Sequence, residues 1–169
     1  MKSIWAPWRS AYILGTDEPE PGCILCSRAH CGKGLQREMG VLFHSSHSYV
    51  MLNKFPYTGG HLMVVPNHHV ADMDDLTEEE YLDLMNLVRT SVRLLRRAFS
   101  PHGFNVGINL GRVAGAGIDD HIHIHVVPRW NGDNNFMPVV ADTRVVSQSL
   151  EAVYDALAPL FQSEPGTVR

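Results

Sequence analysis

The decapeptide HIHIHVVPRW at residues 121–130 sets three imidazoles, His121, His123 and His125, at alternate positions, with Ile122, Ile124 and Val126 among them. β-Branched residues favour the pleated, half-buried surface of a sheet, and successive side chains of a strand point to opposite faces. The spacing predicts a strand that buries its aliphatic side and presents the three histidines together on the other. Neutral imidazole is a nucleophile near pH 7, so such a row can attack an electrophilic centre, pass a proton or ligate a metal. The preceding stretch, GRVAGAGIDD at 111–120, carries Gly111, Gly115 and Gly117, and glycines let successive backbone N–H groups turn toward an anion with no side chain in the way. A glycine loop alone is a weak signal. Joined to aligned histidines it predicts an anion cradle beside a nucleophile, suited to attack on phosphorus through a covalent phosphoramidate. The competing reading is that alternate histidines merely bind a metal or fill a polar sheet face.

Cys23 and Cys26 form a second constellation, two residues apart in GCILCSRAHC. In a reducing compartment that spacing suits a metal chelate, half of a zinc site whose other ligands come from elsewhere. A redox pair belongs to a strand-to-helix context, whereas here the pair follows a Pro-Gly turn. Cys31 is read as incidental.

The elements that must position these groups are legible in part. HSSHSYVMLN and GGHLMVVPN read as strands, joined by a Pro-Tyr-Thr-Gly-Gly loop. LTEEEYLDLMNLVRTSVRLLRRAFSP reads as a long helix: Thr77 and Glu80 form a capping box, and Tyr81, Leu84, Met85, Val88, Val92, Leu95 and Phe99 recur at helical spacing. Acidic residues at its start and arginines at its end suit the helix dipole, and Pro101 stops it. Arg89, Arg93, Arg96 and Arg97 are read as the solvated face of this helix and not as a phosphate stripe. FNVGINL is a predicted strand, and a last helix is predicted over 147–157 with Leu150, Val153, Tyr154 and Leu157 inward. The order strand, strand, helix, strand, strand, helix suits an α+β fold with an antiparallel sheet, one long helix and a C-terminal helix.

The bulk composition bounds the function. A chain of 169 residues, 44% hydrophobic, is enough for one domain with a core. We divide it into an extension over 1–35 that bears the cysteine pair, a core over 36–140, and a C-terminal helix and tail over 141–169. A net charge of -4 excludes broad binding to nucleic-acid backbones. No apolar run reaches the roughly 20 residues that span a bilayer, and MKSIWAPWRSAYIL lacks the apolar core of a signal peptide. A cytoplasmic protein with no membrane partner is expected.

The segment His121-Ile-His123-Ile-His125-Val-Val resembles the signature of the histidine-triad nucleotide hydrolases and transferases. The likeness runs from WAPWR at 5–9 through the cysteine pair, GGHLMVVP, PHGFNVGINLG and VVPRWNGDNNFMP, and is nearest to the bacterial branch that includes diadenosine tetraphosphate phosphorylases. The resemblance implies that His123 attacks the α-phosphate of a nucleotide and carries the nucleotidyl group, with His125 contacting the α-phosphate or bridging oxygen and His61 nearby. It places Asn53 at the ribose, Asn109 on the phosphate side, and Gly115, Ala116 and Gly117 in the phosphate loop, where many relatives carry glutamine, serine or threonine. Trp130 matches the phosphorylase-like branch. Relatives with the cysteine pair are similar to galactose-1-phosphate uridylyltransferases in holding a structural zinc, here by Cys23, Cys26, His69 and His121. A nucleotide substrate and a homodimer are further implications: a dinucleoside polyphosphate cleaved by hydrolysis or phosphorolysis is the first reading, a nucleoside phosphoramidate or adenylyl sulfate the second, and a nucleotide-binding regulator without turnover the reading from another class.

Overall fold

A computed structural model describes residues 22–133 and 148–164. WAPWR, the first 21 residues of the extension, and the 134–147 segment, including the start of the region assigned to the last helix, lie outside the described residues. Five strands, β1 (Val41–His44), β2 (Ser48–Leu52), β3 (Leu62–Pro66), β4 (Gly103–Ile108) and β5 (Ile124–Arg129), form one antiparallel sheet in the order β1-β2-β3-β5-β4. The expected α+β fold is present, and β1, which lies almost wholly ahead of the HSSHSYVMLN stretch, is an additional strand.

Register sorts the side chains into two layers. Val50, Leu52, Leu62, Val64, Ile124 and Val126 share one buried face, covered by α3 (Glu78–Phe99) and α4 (Leu150–Gln162), helices numbered after two shorter ones near the N-terminus. On the opposite face Val41, Tyr49, Met51, Met63 and Val65 form a smaller cluster beneath α1 (Ile24–Ala29); α2 (Gln36–Met39) leads from there into β1. His125 pairs with Met63, so it stands on this second face. The larger core holds the sheet; His125 stands over the smaller one.

The helix signals translate into geometry. Thr77 accepts from the Glu80 N–H while Glu80 accepts from the Thr77 N–H at 2.8 Å, closing the capping box, and Ser100 ends α3 in the left-handed region ahead of Pro101. Leu84, Val88 and Leu95 are buried as expected, joined by Leu87, Ser91 and Leu94, while Tyr81 and Met85 remain at the surface. The apolar stripe runs along the 84-87-88-91-94-95 side because there the helix crosses β2 and β3. The arginine face is solvated, as predicted: Arg93 and Arg97 pair with Glu164, and Arg96 lies over the Phe104 ring.

Two boundaries differ from expectation. α4 runs from Leu150 to Gln162, past Pro159. Proline within a helix lacks its N–H and costs about 3 kcal/mol; burial of Leu157, Ala158 and Phe161 against the core offsets that loss and carries the helix through. The histidine strand begins only at Ile124. Its ladder with β3 ends at Val64↔Ile124, because the Pro66 carbonyl turns to the His121 imidazole and the Ile122 N–H goes to the Val70 carbonyl at 2.7 Å. The three histidines therefore do not form one flat row.

Candidate active site and metal centre

Each triad histidine has a hydrogen-bond partner that fixes where its proton sits. His121 is fully buried, and its Nε2–H donates to the Pro66 carbonyl at 2.9 Å, which leaves the Nδ1 lone pair outward. That Nδ1 lies 3.3 Å from Cys23 Sγ and 3.6 Å from Cys26 Sγ. His123 does the reverse: its Nδ1–H donates to the His121 carbonyl at 2.9 Å, leaving Nε2 with the lone pair of a nucleophile.

His125 is set by a chain of three groups whose direction follows from an amide that can only donate. The Tyr57 backbone N–H donates to His61 Nδ1 at 3.1 Å, so the His61 proton is on Nε2. His61 Nε2–H then donates to His125 Nδ1 at 3.0 Å, and His125 keeps its own proton on Nε2. His123 and His125 stand with ring centroids 5.0 Å apart, one presenting a lone pair and the other an N–H. Burial, then neighbouring His125 and His123, pushes His61 down to about 3, and burial with His123 pushes His125 down to about 4. Both are neutral imidazoles at pH 7, as the hydrogen-bond order requires.

Supporting turns aim these groups. Gly60 takes a positive φ of 78° beside Leu95, Pro128 and Phe99, where a Cβ would crowd atoms 3.2 to 3.4 Å away, and the turn sets His61 immediately ahead of β3. Asn53 precedes the loop, its Oδ1 accepting from the Phe55 N–H at 2.9 Å and its Nδ2 lying 3.4 Å from both His61 ring nitrogens. Thus Asn53, His61, His123 and His125 come together. Asn109 follows β4 close to Gly115. The predicted cradle differs in detail: the Gly115 N–H donates to the Arg112 carbonyl and the Ala116 N–H to the Gly111 carbonyl, so these two amides close the loop's own turn. Trp130 stands at the far end of β5 with its indole N–H on the Phe99 carbonyl at 3.4 Å, and is not brought to the histidines within this chain.

The second constellation assembles as a four-ligand set. Cys23, Cys26, His69 and His121 each offer one donor atom, all within 4.8 Å of one another, and His69 Nδ1 is 3.2 Å from Cys26 Sγ. A tetrahedral ion with bonds of about 2.0–2.3 Å holds its ligands roughly 3.3–3.8 Å apart; the 3.2, 3.3 and 3.6 Å separations lie at or near that range, and the set as a whole, within 4.8 Å, needs only a small contraction to close on an ion. Burial and the adjacent Cys23 thiol push the Cys26 thiol up, an arrangement that a cation between them reverses. His68 points elsewhere, to Glu80 at 3.2 Å, and His44 is engaged by Gln36 and the Arg28 carbonyl.

Sequence reasoning passed over Tyr57, whose amide fixes His61 and whose ring lies 4.6 Å from it, and the Pro66 carbonyl that orients His121. The position of Tyr57, four residues before His61 in FPYTGGH, was the available signal.

An imidazole lone pair and an imidazole N–H side by side on an antiparallel sheet, reached through a glycine loop, mark a histidine-triad protein. The HIT domain model matches residues 35–132, and the chain belongs to that family. It is 43% identical, over 98% of its length and 87% of the relative's, to the AP-4-A phosphorylase of Mycobacterium tuberculosis. It is 33% identical to an asymmetrical bis(5'-nucleosyl)-tetraphosphatase of Schizosaccharomyces pombe, over 72% of this chain and 63% of that one. Among solved structures, a zinc-bound histidine triad family protein of Mycobacterium smegmatis superposes with a TM-score of 0.62 at 25% identity, covering 85% of this chain and 98% of that chain.

Proposed function

We propose that this protein cleaves dinucleoside polyphosphates, diadenosine tetraphosphate among them, at an α-phosphate through a nucleotidyl group carried on His123. The observation that supports it best is the opposed proton placement: the His123 Nε2 lone pair beside the His125 Nε2–H. His123 Nε2 forms the N–P bond while the bond from phosphorus to the bridging oxygen breaks, its electron pair leaving on the nucleoside triphosphate. The His125 N–H donates to the oxygen on which charge gathers, and a polyphosphate departs as an anion without full protonation. A second attack on phosphorus returns His123 to its starting state. Asn53 is assigned to the ribose, Asn109 and the Gly115–Gly117 loop to the α-phosphate, the loop through its open backbone path and not through the Gly115 and Ala116 amides that close its own turn, and Trp130 to a more distant part of the substrate.

Phosphate is the acceptor we expect, on the strength of the 43% identical relative named a phosphorylase. Incubated with diadenosine tetraphosphate, wild-type protein should then give ADP plus ATP only when inorganic phosphate is present, and His123→Ala should lose roughly a thousandfold or more. AMP plus ATP without phosphate would make it a hydrolase. No nucleotide product in either condition would sink the catalytic reading.

The metal set is assigned to zinc, whose preference for two thiolates and two imidazoles in a closed tetrahedron matches Cys23, Cys26, His69 and His121. Zinc there supplies a structural cross-link, joining the N-terminal extension to the segment that leads into β5. We further propose a cytoplasmic homodimer. The β4 edge of the sheet, with Val106 47% exposed, supports pairing between copies, and the three free cysteines suit a reducing compartment. Among the described residues no helix is long and apolar enough to cross a membrane.

A further inference from the structure

Among the described residues, nothing covers the sheet on the β4 side of the histidines. Gly107 of β4 stands directly opposite His125 of β5, and residues paired in an antiparallel ladder present their side chains on the same face. A side chain at 107 would therefore rise beside His125, and a Cβ placed there meets no atom of the described residues within 4 Å. Gly107 is not among the glycines with positive φ, so its backbone does not demand glycine, and glycine in a strand interior forgoes packing that a β-branched residue would supply. A position that neither conformation nor crowding reserves for glycine is explained by what must pass over it.

On the opposite flank stands Tyr57. Its ring centroid is 4.6 Å from that of His61 and 5.9 Å from that of His125, yet the residue remains 44% exposed. His125 thus lies between an aromatic ring and an open strip of strand. In the displacement described above, the departing oxygen is on the side of phosphorus away from His123 Nε2, where the His125 N–H can reach it, so the leaving group is the part of the substrate nearest His125.

We propose that Gly107 and Tyr57 form the berth of the leaving half of the substrate: the bare floor at 107 admits a nucleotide-sized leaving group, and the exposed Tyr57 ring gives its base a stacking surface. This rests on the reading that His123 takes up the nucleotidyl group. The berth makes a prediction about substrate size which the catalytic histidines alone do not, since they would serve a small leaving group equally well.

The test compares two substrates that share the adenylyl half and differ in what leaves: diadenosine tetraphosphate, releasing ATP, and adenosine 5'-phosphorofluoridate, releasing fluoride. Gly107→Val suits a strand, and its melting temperature should match or exceed that of wild type. It should lower kcat/KM for the tetraphosphate by about tenfold or more relative to the phosphorofluoridate, the scale of an overpacked contact, while affinity for AMP is retained. Gly107→Ala should fall between, and covers the case in which the valine variant does not fold. Tyr57→Ala should raise KM for the tetraphosphate several-fold, with Tyr57→Phe close to wild type because the ring is kept. Equal losses on both substrates, or no loss on either, would overturn the berth while leaving the nucleotidyl-histidine reading intact. Wild-type protein that cleaves neither substrate would remove that reading, and the berth with it.

Discussion

Three histidines of one motif hold their protons in three different arrangements because each ring nitrogen has a different partner. His121 gives its Nε2 proton to the Pro66 carbonyl, His123 gives its Nδ1 proton to the His121 carbonyl, and His125 receives at Nδ1 from His61. His61 is the residue on which the site's pH behaviour should be most visible. Its value in the folded protein is about 3, against roughly 6.5 in an unfolded chain, chiefly through burial. Between those values the unfolded chain holds a proton that the folded one does not, so stability is full above about pH 6.5 and falls as pH drops toward the folded value. Denaturant melts at pH 7.5 and pH 5 should show this loss. In His61→Gln, which keeps an acceptor for the Tyr57 amide and a donor for His125, the loss should be smaller, and an unchanged pH slope would count against burial of a neutral His61 as its source.

Among the elements, α3 and α4 show how a local signal and a tertiary one differ in strength. Thr77→Ala removes one acceptor from an exposed helix start and should cost about 1 kcal/mol. Phe161→Ala empties a fully buried position that packs on Phe43, ring centroids 6.0 Å apart, and should cost about 3–5 kcal/mol. Urea melts would rank the two, and the reverse order would mean that α4 does not depend on that burial to run through Pro159. The stripe on α3 was readable as a period, but which neighbouring positions would be covered depended on where β2 and β3 cross it. Tyr81 and Met85 fit the period and still lie at the surface.

For the molecule as a whole, the four-ligand set joins segments remote in sequence: Cys23 lies 98 residues from His121, and Cys26 lies 43 from His69. It also neighbours the His123–His125 pair, since the residue that turns Nδ1 to the cysteines accepts the His123 Nδ1–H at its carbonyl. α1 has other ties to the sheet, from Tyr49 Oη to the Leu25 carbonyl at 2.8 Å and from His44 to the Arg28 carbonyl at 3.1 Å. Stripping metal from the purified protein should lower its melting temperature by several degrees and speed proteolysis near residues 22–35, with zinc restoring both. A metal-free sample with an unchanged melt would remove the structural site.

What the sequence by itself determined was periodic or local: the alternation that places Ile124 and Val126 in the core and His125 on the other face, the capping box of α3, the paired thiols at 23 and 26, and the motif that gives the family. These are set by the two-residue period of a strand, the 3.6-residue period of a helix and the chemistry of neighbouring side chains. The tertiary structure alone decided the rest. It drew His69, not His68, to the cysteines by the residues' own geometry, began β5 at Ile124, turned the Gly115 and Ala116 amides inward, and brought Tyr57 to His61. The physical reason is common to all of these. A hydrogen bond has a direction and a metal set has a length, and both depend on where distant segments meet in space.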